Sequence, residues 1–290
     1  MNAYRLILSV FLAMAIFPAA AIDAGEPDPR QNSARKIAIS FDDLPTLSHD
    51  ILTVNDQIAY FNRIMRTLEQ HNVRAIGFLV GQRLRPENEH LVRSFIDAGH
   101  LVGNHTFNHW DLNKVSASDY IRDIEKCSNL ISQLDMPCKY FRYPFLHRGD
   151  DVAKKDSVLS YLERNEFIIA PVSIDNDEAG FNLRFVKALQ SDSSAAQTIG
   201  QEYVEHMIFK TEYYERLAVE VNGKAINHIL LLHMNLINSY YLDTLLDWYE
   251  QNGWEFISIE EALSDPFYSK PDSYVGEQGL SYIERVTGKE

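Results

Sequence analysis

Seven short apolar runs alternate with longer segments of helical periodicity along this 290-residue chain, and few folds accommodate that order. Most runs are nearly continuous in apolar or aromatic residues, as is typical of strands covered on both faces. They occupy residues 36–41, 74–80, 101–106, 139–144, 167–174, 228–234 and 255–259. Apolar residues recur at helical spacing in residues 54–71, 87–98, 116–134, 152–165 and 239–251. The alternation predicts a mainly parallel α/β sheet, which either closes as an incomplete barrel or stays open and doubly wound.

The composition supports one large folded domain. Apolar residues make up 46% of the chain and charged residues 23%, which leaves ample material for a core. The formal net charge of −14 argues against a nucleic-acid binder and disfavours strong attraction to anionic lipid surfaces. Residues 182–225 interrupt the alternation and are expected to form one or two helices inserted before the sixth strand.

The first 21 residues have the pattern of a secretory signal peptide. Arg5 precedes a largely apolar stretch of 12 residues, and small residues follow up to Ala21. A transmembrane anchor is the alternative, but this stretch is shorter than the roughly 20 residues that a membrane span needs. We therefore expect an exported protein, periplasmic or extracellular, with no stable membrane anchor after cleavage. In an oxidising compartment, Cys127 and Cys138 either form a disulfide or remain free thiols.

Polar, chemically reactive side chains follow five of the predicted strands at the point where each strand ends. In α/β barrels the active site gathers at the carboxyl ends of the strands, so we expect these side chains to share one rim. They are Asp42, Asp43, His105, His109, Arg142, Asp175, Glu178 and His233.

Each of these side chains has a structural explanation and a functional one. The histidine pair at 105 and 109 could lie on the surface, the aspartate pair could cap a turn, and Arg142 and His233 could be satisfied core residues. Two imidazoles and a carboxylate are, however, a common ligand set for a catalytic divalent ion. Neighbouring aspartates on a strand point in different directions, so one can bind a metal while the other acts as a base. Arg142 would then hold a carboxylate ionised, and His233 would serve as a general acid.

Four motifs, in sequence order, resemble those of the polysaccharide deacetylase family, the carbohydrate esterases with a NodB-type domain. The segment SFDD at 40–43 resembles the T/S-F-D-D motif, and HTFNH at 105–109 resembles H-S/T-x-x-H. The segment RYPF at 142–145 resembles R-x-P-Y, and LLH at 231–233 resembles L-x-H. The resemblance covers about residues 34–265.

This resemblance implies a single-domain distorted (β/α)7 barrel and metal-dependent hydrolysis of acetamido groups on an N-acetylated sugar polymer or oligomer. The expected ion is Zn²⁺, and its ligands would be Asp43, His105 and His109.

The resemblance also implies roles for the remaining motif residues. Asp42 would be the general base, and Arg142 would orient it. His233 would be the general acid, the backbone N–H of Phe145 would help to bind the oxyanion, and Leu231 would line the acetyl pocket.

The sequence after the fifth strand departs from the family pattern. The family's D-x-x-D-W motif supports the general acid, whereas this chain reads DNDEA at 175–179 and has no tryptophan there. Asp175 is counted among the catalytic residues, although either Asp175 or Glu178 could partner His233, and Asp177 is not excluded. Phe145 stands where tyrosine is usual, which changes the shape of the pocket but keeps the backbone N–H.

The chain is thereby divided into a signal peptide at 1–21, a flexible lead-in at 22–35, a deacetylase domain at 36–265 with the helical insertion at 182–225, and an irregular C-terminal tail at 266–290. The expected partner is an acetylated carbohydrate and not a nucleic acid. Three alternatives remain open, which are an O-acetyl polysaccharide esterase, a hydrolase of a small amide, and a carbohydrate-binding protein that has lost catalysis.

Overall fold

The computed structural model describes residues 35–47 and 52–289. The expected signal peptide and nearly all of the lead-in lie outside the described residues. Within those two ranges, no helix combines the length and the apolar character that crossing a membrane requires.

Seven parallel strands form the sheet, in agreement with the seven predicted runs. Most are shorter than predicted, because the runs continue as irregular chain beyond the last ladder hydrogen bond. The strands are β1 (Arg35–Leu44), β2 (Ile76–Leu79), β3 (Leu101–Asn104), β4 (Tyr140–Phe141), β5 (Ile168–Ile169), β6 (Asn227–His233) and β7 (Trp254–Phe256).

The sheet curls into a distorted barrel. Its strand order is β5-β4-β3-β2-β1-β6, and β7 pairs with the first residues of β1. The chain that continues from β5 then meets β6, since the N–H of Ser173 donates to Ile229 O at 3.1 Å and the N–H of Leu231 donates to Ile174 O at 3.2 Å. These bonds join the two ends of the strand order, so the barrel interpretation holds and the open sheet does not.

Helices surround the sheet and begin at polar caps. In α1, for example, Thr53 and Asp56 form a reciprocal capping box. The helices are α1 (Val54–Gln70), α2 (Glu89–Asp97), α3 (Ala117–Ser132), α4 (Val152–Arg164), α5 (Glu178–Ser191), α6 (Ser193–Asn222), α7 (Leu236–Gln251), α8 (Ile259–Leu263) and α9 (Tyr282–Thr287).

The alternation of side chains along β1 determines which residues reach the barrel interior. Ile37, Ile39 and Phe41 pack into the large core beneath the helices. Ala38 belongs instead to a separate cluster that includes residues of β2 and β6. Because strand side chains alternate between faces, Asp42 continues the Ala38 face at the carboxyl end of β1.

Three expectations about the later part of the chain can be compared with the structure. The segment expected as an insertion at 182–225 contains two helices, α5 and α6, and the first already begins at Glu178. The tail at 266–290 is not irregular throughout, because α9 buries Tyr282 and Ile283 and is fixed by a Ser281–Glu284 capping box. Cys127 and Cys138 are free thiols, and the Cys127 thiol donates to Leu79 O at 3.3 Å.

Candidate active site

The three predicted metal ligands lie together at the carboxyl ends of β1 and β3. One potential ligand atom from each of Asp43, His105 and His109 lies within 4.8 Å of the others. Asp43 and His109 have left-handed backbone conformations, with φ of 69° and 56°. Such conformations are uncommon outside glycine and here turn both side chains back toward the barrel mouth.

The state of the two imidazoles suits metal binding. His105 Nδ1 lies 2.9 Å from the carbonyl oxygen of Arg142, and because a carbonyl only accepts, Nδ1 must donate and Nε2 keeps its lone pair. Burial lowers the pKa of His105 and lowers that of His109 to about 4, so both rings are neutral near pH 7.

The spacing of the ligand atoms also fits a small divalent ion. Asp43 Oδ1 and His109 Nε2 are 3.3 Å apart. Tetrahedral bonds of about 2.0–2.2 Å separate neighbouring ligand atoms by roughly 3.3–3.6 Å. The residues present therefore fit a zinc-like ion.

Arg83 is a site residue that the sequence analysis did not identify. It ends a single 3₁₀ turn (Gly81–Arg83) that follows β2, and its Nη1 lies 2.9 Å from Asp43 Oδ1. Burial opposes ionisation of Asp43, but the charge of Arg83, helped by the charges of His109, His233 and His105 when these rings are protonated, holds the pKa of this carboxyl well below its usual range. The available signal was the position of Arg83 just after a strand, but a lone arginine carries no motif.

Asp42 is held by Arg142. Both side chains are buried, and Arg142 Nη1 donates to Asp42 Oδ1 at 2.8 Å and to Ser40 Oγ at 2.8 Å. Arg142 Nε also donates to Ala170 O at 3.0 Å, and the guanidinium lies over the Phe78 ring at 4.2 Å. These contacts fix the guanidinium and, through it, the Asp42 carboxyl group. The other carboxyl oxygen, Asp42 Oδ2, lies 3.5 Å from His105 Nε2.

His233 faces the same cleft and is paired with Glu178. Its Nδ1 lies 2.9 Å from Glu178 Oε2, and the Glu178 carboxylate is fully buried. Glu178 Oε1 accepts hydrogen bonds from the amides of Asn235, at 2.8 Å, and Asn238. Burial alone would favour the neutral imidazole, but the hydrogen bond and charge of Glu178 raise the pKa of His233 to about 9.

The other two acidic residues of the fifth-strand motif do not fill this role. Asp175 Oδ1 accepts the N–H of Asn176 at 2.8 Å, and burial raises the pKa of Asp175 to about 6. Asp177 is exposed and lies 3.8 Å from His206. The partner of His233 is therefore Glu178, although Asp175 still lines the cleft.

A cleft of about 430 Å³ joins these groups. Leu231 forms an apolar wall with Leu146 and Val172. Phe145 is half exposed, has a φ of 57°, and places its ring 4.7 Å from that of His109. The cleft thus combines a potential metal site, a carboxylate, a protonated imidazole and a small apolar wall.

Comparison with known proteins shows which family part of the chain resembles. Residues 30–162 match the family model of polysaccharide deacetylase. The chain is 28% identical over 141 residues to the peptidoglycan-N-acetylglucosamine deacetylase of Bacillus cereus, and the match covers 48% of this chain and 45% of that enzyme.

Solved structures share the fold at low sequence identity. The Xyl-CE4 domain of a multidomain xylanase from the hindgut metagenome of Trinervitermes trinervoides is similar with a TM-score of 0.54 and 16% identity, covering 87% of this chain and 100% of that one. A CE4 family pseudoenzyme from Bacillus anthracis is similar with a TM-score of 0.53 and 17% identity, covering 80% and 66%. These similarities show the fold alone, while the sequence match to the polysaccharide deacetylase family covers residues 30–162, just under half of the chain.

Proposed function

We propose that this protein is a metal-dependent deacetylase that hydrolyses acetamido groups of an N-acetylated sugar polymer or oligomer. The observation that carries the proposal is that Asp42, bonded to Arg142, and His233, bonded to Glu178, line one cleft. Arg142 donates to the Asp42 carboxyl group at 2.8 Å, and Glu178 raises the pKa of His233 to about 9, so the cleft offers a proton acceptor and a proton donor. Amide hydrolysis needs both, because a proton must leave the attacking water and another must reach the departing amine.

Asp43, His105 and His109 would hold the ion. When bound, a divalent ion such as Zn²⁺ polarises the scissile carbonyl and lowers the pKa of water. Asp42 would take the proton of the attacking water, and the fixed Arg142 would keep that carboxyl group oriented. The backbone N–H of Phe145 would donate to the developing oxyanion, and Leu231 would contact the acetyl methyl group.

His233 favours an N-acetyl substrate over an O-acetyl one. An amine is a poor leaving group until it is protonated, whereas an alcohol leaves more readily. A pKa of about 9 keeps the His233 imidazole protonated at neutral pH, as protonation of an amine requires. An O-acetyl esterase is the second candidate, because a domain of a xylanase shares the fold.

We also propose that the protein is exported. Support comes from the sequence pattern of residues 1–21. Fusing these residues to a phosphatase that folds only where disulfides form is expected to give phosphatase activity in intact cells. A cytoplasmic, inactive fusion would contradict export without affecting the proposed chemistry.

The function is tested by acetate release from residues 22–290 loaded with Zn²⁺, with N-acetylglucosamine oligomers and acetylated xylan supplied in parallel. We expect release from the oligomers, loss of release in Asp42→Asn, and reversible loss when the metal is removed with a chelator. Release from xylan alone would move the assignment to an O-acetyl esterase. Absence of both activity and metal binding would support a non-catalytic carbohydrate-binding protein, comparable in fold to the pseudoenzyme.

A further inference from the structure

The chain beyond the family match returns to the catalytic end of the barrel. We call residues 272–285 the C-terminal clamp. Asp272 anchors its first part, because Asp272 Oδ2 accepts hydrogen bonds from Arg285 Nε, at 2.8 Å, and from Arg148. Lys155 Nζ, on α4, also donates to the carbonyl oxygens of Asp272 and Tyr274, both at 2.8 Å. The Asp272 carboxylate and the Arg285 side chain are nearly buried, with 8% and 4% exposure.

From this anchor the C-terminal clamp crosses the rim of the barrel. Asn113 donates to Glu277 O at 3.1 Å, and the N–H of Tyr282 donates to Val172 O at 2.6 Å. Between these two attachments, Gly279 lines the catalytic cleft together with Phe145 and Leu231. The clamp is therefore tied on both sides of the point at which it reaches the site.

Gly279 lies directly against the Phe145 turn. A Cβ at position 279 would be 1.9 Å from the carbonyl oxygen of Phe145, far closer than non-bonded atoms approach. Phe145 and Leu146 are consecutive residues with φ of 57°, a conformation that L-residues disfavour. Such a turn persists only when its surroundings hold it, and the backbone of Gly279 is one of those surroundings.

We propose that the C-terminal clamp is part of the active site, with Gly279 as a positioning residue that holds the Phe145 turn and so aims the backbone N–H at the oxyanion. The proposal rests on the proposed deacetylase function for its catalytic consequence. It assigns Gly279, which lies outside the family match, to the catalytic unit, with the rest of the clamp as its support. The clamp also supplies a cleft wall on a rim whose fifth-strand motif lacks the family's tryptophan.

The test compares Gly279→Ala with Gly276→Ala in the same segment. A Cβ at position 276 would meet the outer end of the Tyr274 side chain, 2.5 Å from its hydroxyl oxygen and 2.8 Å from Cζ, and this side chain can move aside whereas a backbone carbonyl cannot. For Gly279→Ala we expect kcat to fall at least ~10-fold, a change of about 1.4 kcal/mol in the barrier, with KM changing less than kcat. The metal affinity should stay close to that of wild type, as in Gly276→Ala, and kcat is compared at a temperature well below the unfolding midpoints of both variants. Equal kcat in the two variants would overturn the proposal.

Hydrogen exchange tests the positioning role of the C-terminal clamp independently of the proposed deacetylase function. In Gly279→Ala, amide exchange in a peptide covering residues 141–148 should be faster than in wild type and in Gly276→Ala. Unchanged exchange would refute the positioning role even if the enzyme is active. Faster exchange together with an inactive wild type would support the positioning role and reject the proposed function. Asp272→Asn, which weakens the anchor through Arg148 and Arg285, should produce the same local change without a new steric contact.

Discussion

The His233–Glu178 pair combines two demands on one residue, because the general acid must stay protonated although only 18% of its side chain is exposed to water. A buried imidazole loses its charge unless a fixed anion compensates, and Glu178 is that anion. Its other oxygen is occupied by Asn235 and Asn238, so the carboxylate cannot turn away from the ring. The geometry makes Glu178 the residue that sets the pH range of the proposed acid.

Glu178→Gln should therefore lower the pKa of His233 from about 9 to near or below its ordinary value of about 6.5. The alkaline limb of the kcat profile should move to lower pH by about two units, with at least a ~10-fold loss of rate at pH 8. Because the pKa is raised in the folded state, the pair stabilises the fold below about pH 6.5, and this stabilisation is lost as pH rises through about 9.

Asp175→Asn is the matched control, because Asp175 belongs to the same motif and lines the same cleft without pairing with His233. The alkaline limb of its kcat profile should lie at the same pH as in the wild type. A shift in Asp175→Asn and none in Glu178→Gln would assign the role to Asp175 instead.

Arg83 gives a second prediction at this scale, because it occupies the same Asp43 oxygen that lies nearest His109. A bound cation would share this carboxylate with a guanidinium and would be repelled by it. Arg83→Gln should therefore bind Zn²⁺ at least ~10-fold more tightly in competition with a chromogenic chelator, while the charge-retaining Arg83→Lys stays near wild type. Weaker binding in Arg83→Gln would mean that Arg83 mainly orients Asp43.

At the scale of elements, close packing inside the barrel leaves no space for a side chain at Gly103 on β3. A Cβ on Gly103 would lie 2.6 Å from the buried Phe78 ring and 3.1 Å from Tyr140 O. Phe78 supports the Arg142 guanidinium, which in turn binds Asp42. A change of packing at Gly103 would therefore be transmitted to the Asp42 carboxyl group. A residue without a side chain at position 103 is thus needed for Arg142 to keep its position.

Gly103→Ala should destabilise the fold by about 1–3 kcal/mol, measured as a lower urea midpoint. Gly180→Ala, in α5, is the control, because a Cβ there meets nothing within 4 Å. It should be neutral or stabilising by up to about 1 kcal/mol. Equal losses in both variants would show that the barrel interior relaxes around the added methyl group.

The elements also show which features the sequence could reveal. The seven strands and the motif residues at their ends were predictable, because apolar runs and strand-end polar residues are local signals. Glu178 was only one of three candidates, since the choice depends on where α5 begins relative to His233 on β6. Arg83 and Gly279 were not identified, because each acts through one contact with a residue distant in sequence. The helix α9 was hidden among the glycines and prolines of the expected tail.

At the scale of the whole molecule, the net charge and the cleft act on a substrate in opposite directions. The chain carries a formal charge of −14, which repels a polyanion over the whole surface. The cleft itself contains Arg83 and a protonated His233, and a bound divalent ion would add further positive charge. A measurement on the intact protein is needed to separate the long-range repulsion by the net charge from the local attraction by the cleft.

Ionic strength provides that separation, because salt screens distant charges more than the contacts inside the cleft, with a Debye length of about 10 Å at 0.1 M. On a neutral N-acetylglucosamine oligomer, kcat/KM should stay within about twofold as salt rises from ~0.02 to ~0.3 M. On soluble peptidoglycan fragments that carry carboxylates, kcat/KM should rise several-fold over the same range as the global repulsion is screened. A fall on the anionic fragments would show that the positive cleft dominates, and Arg83→Gln should then abolish that fall. The sign of the slope therefore tells whether neutral or acidic acetylated glycans suit this protein better.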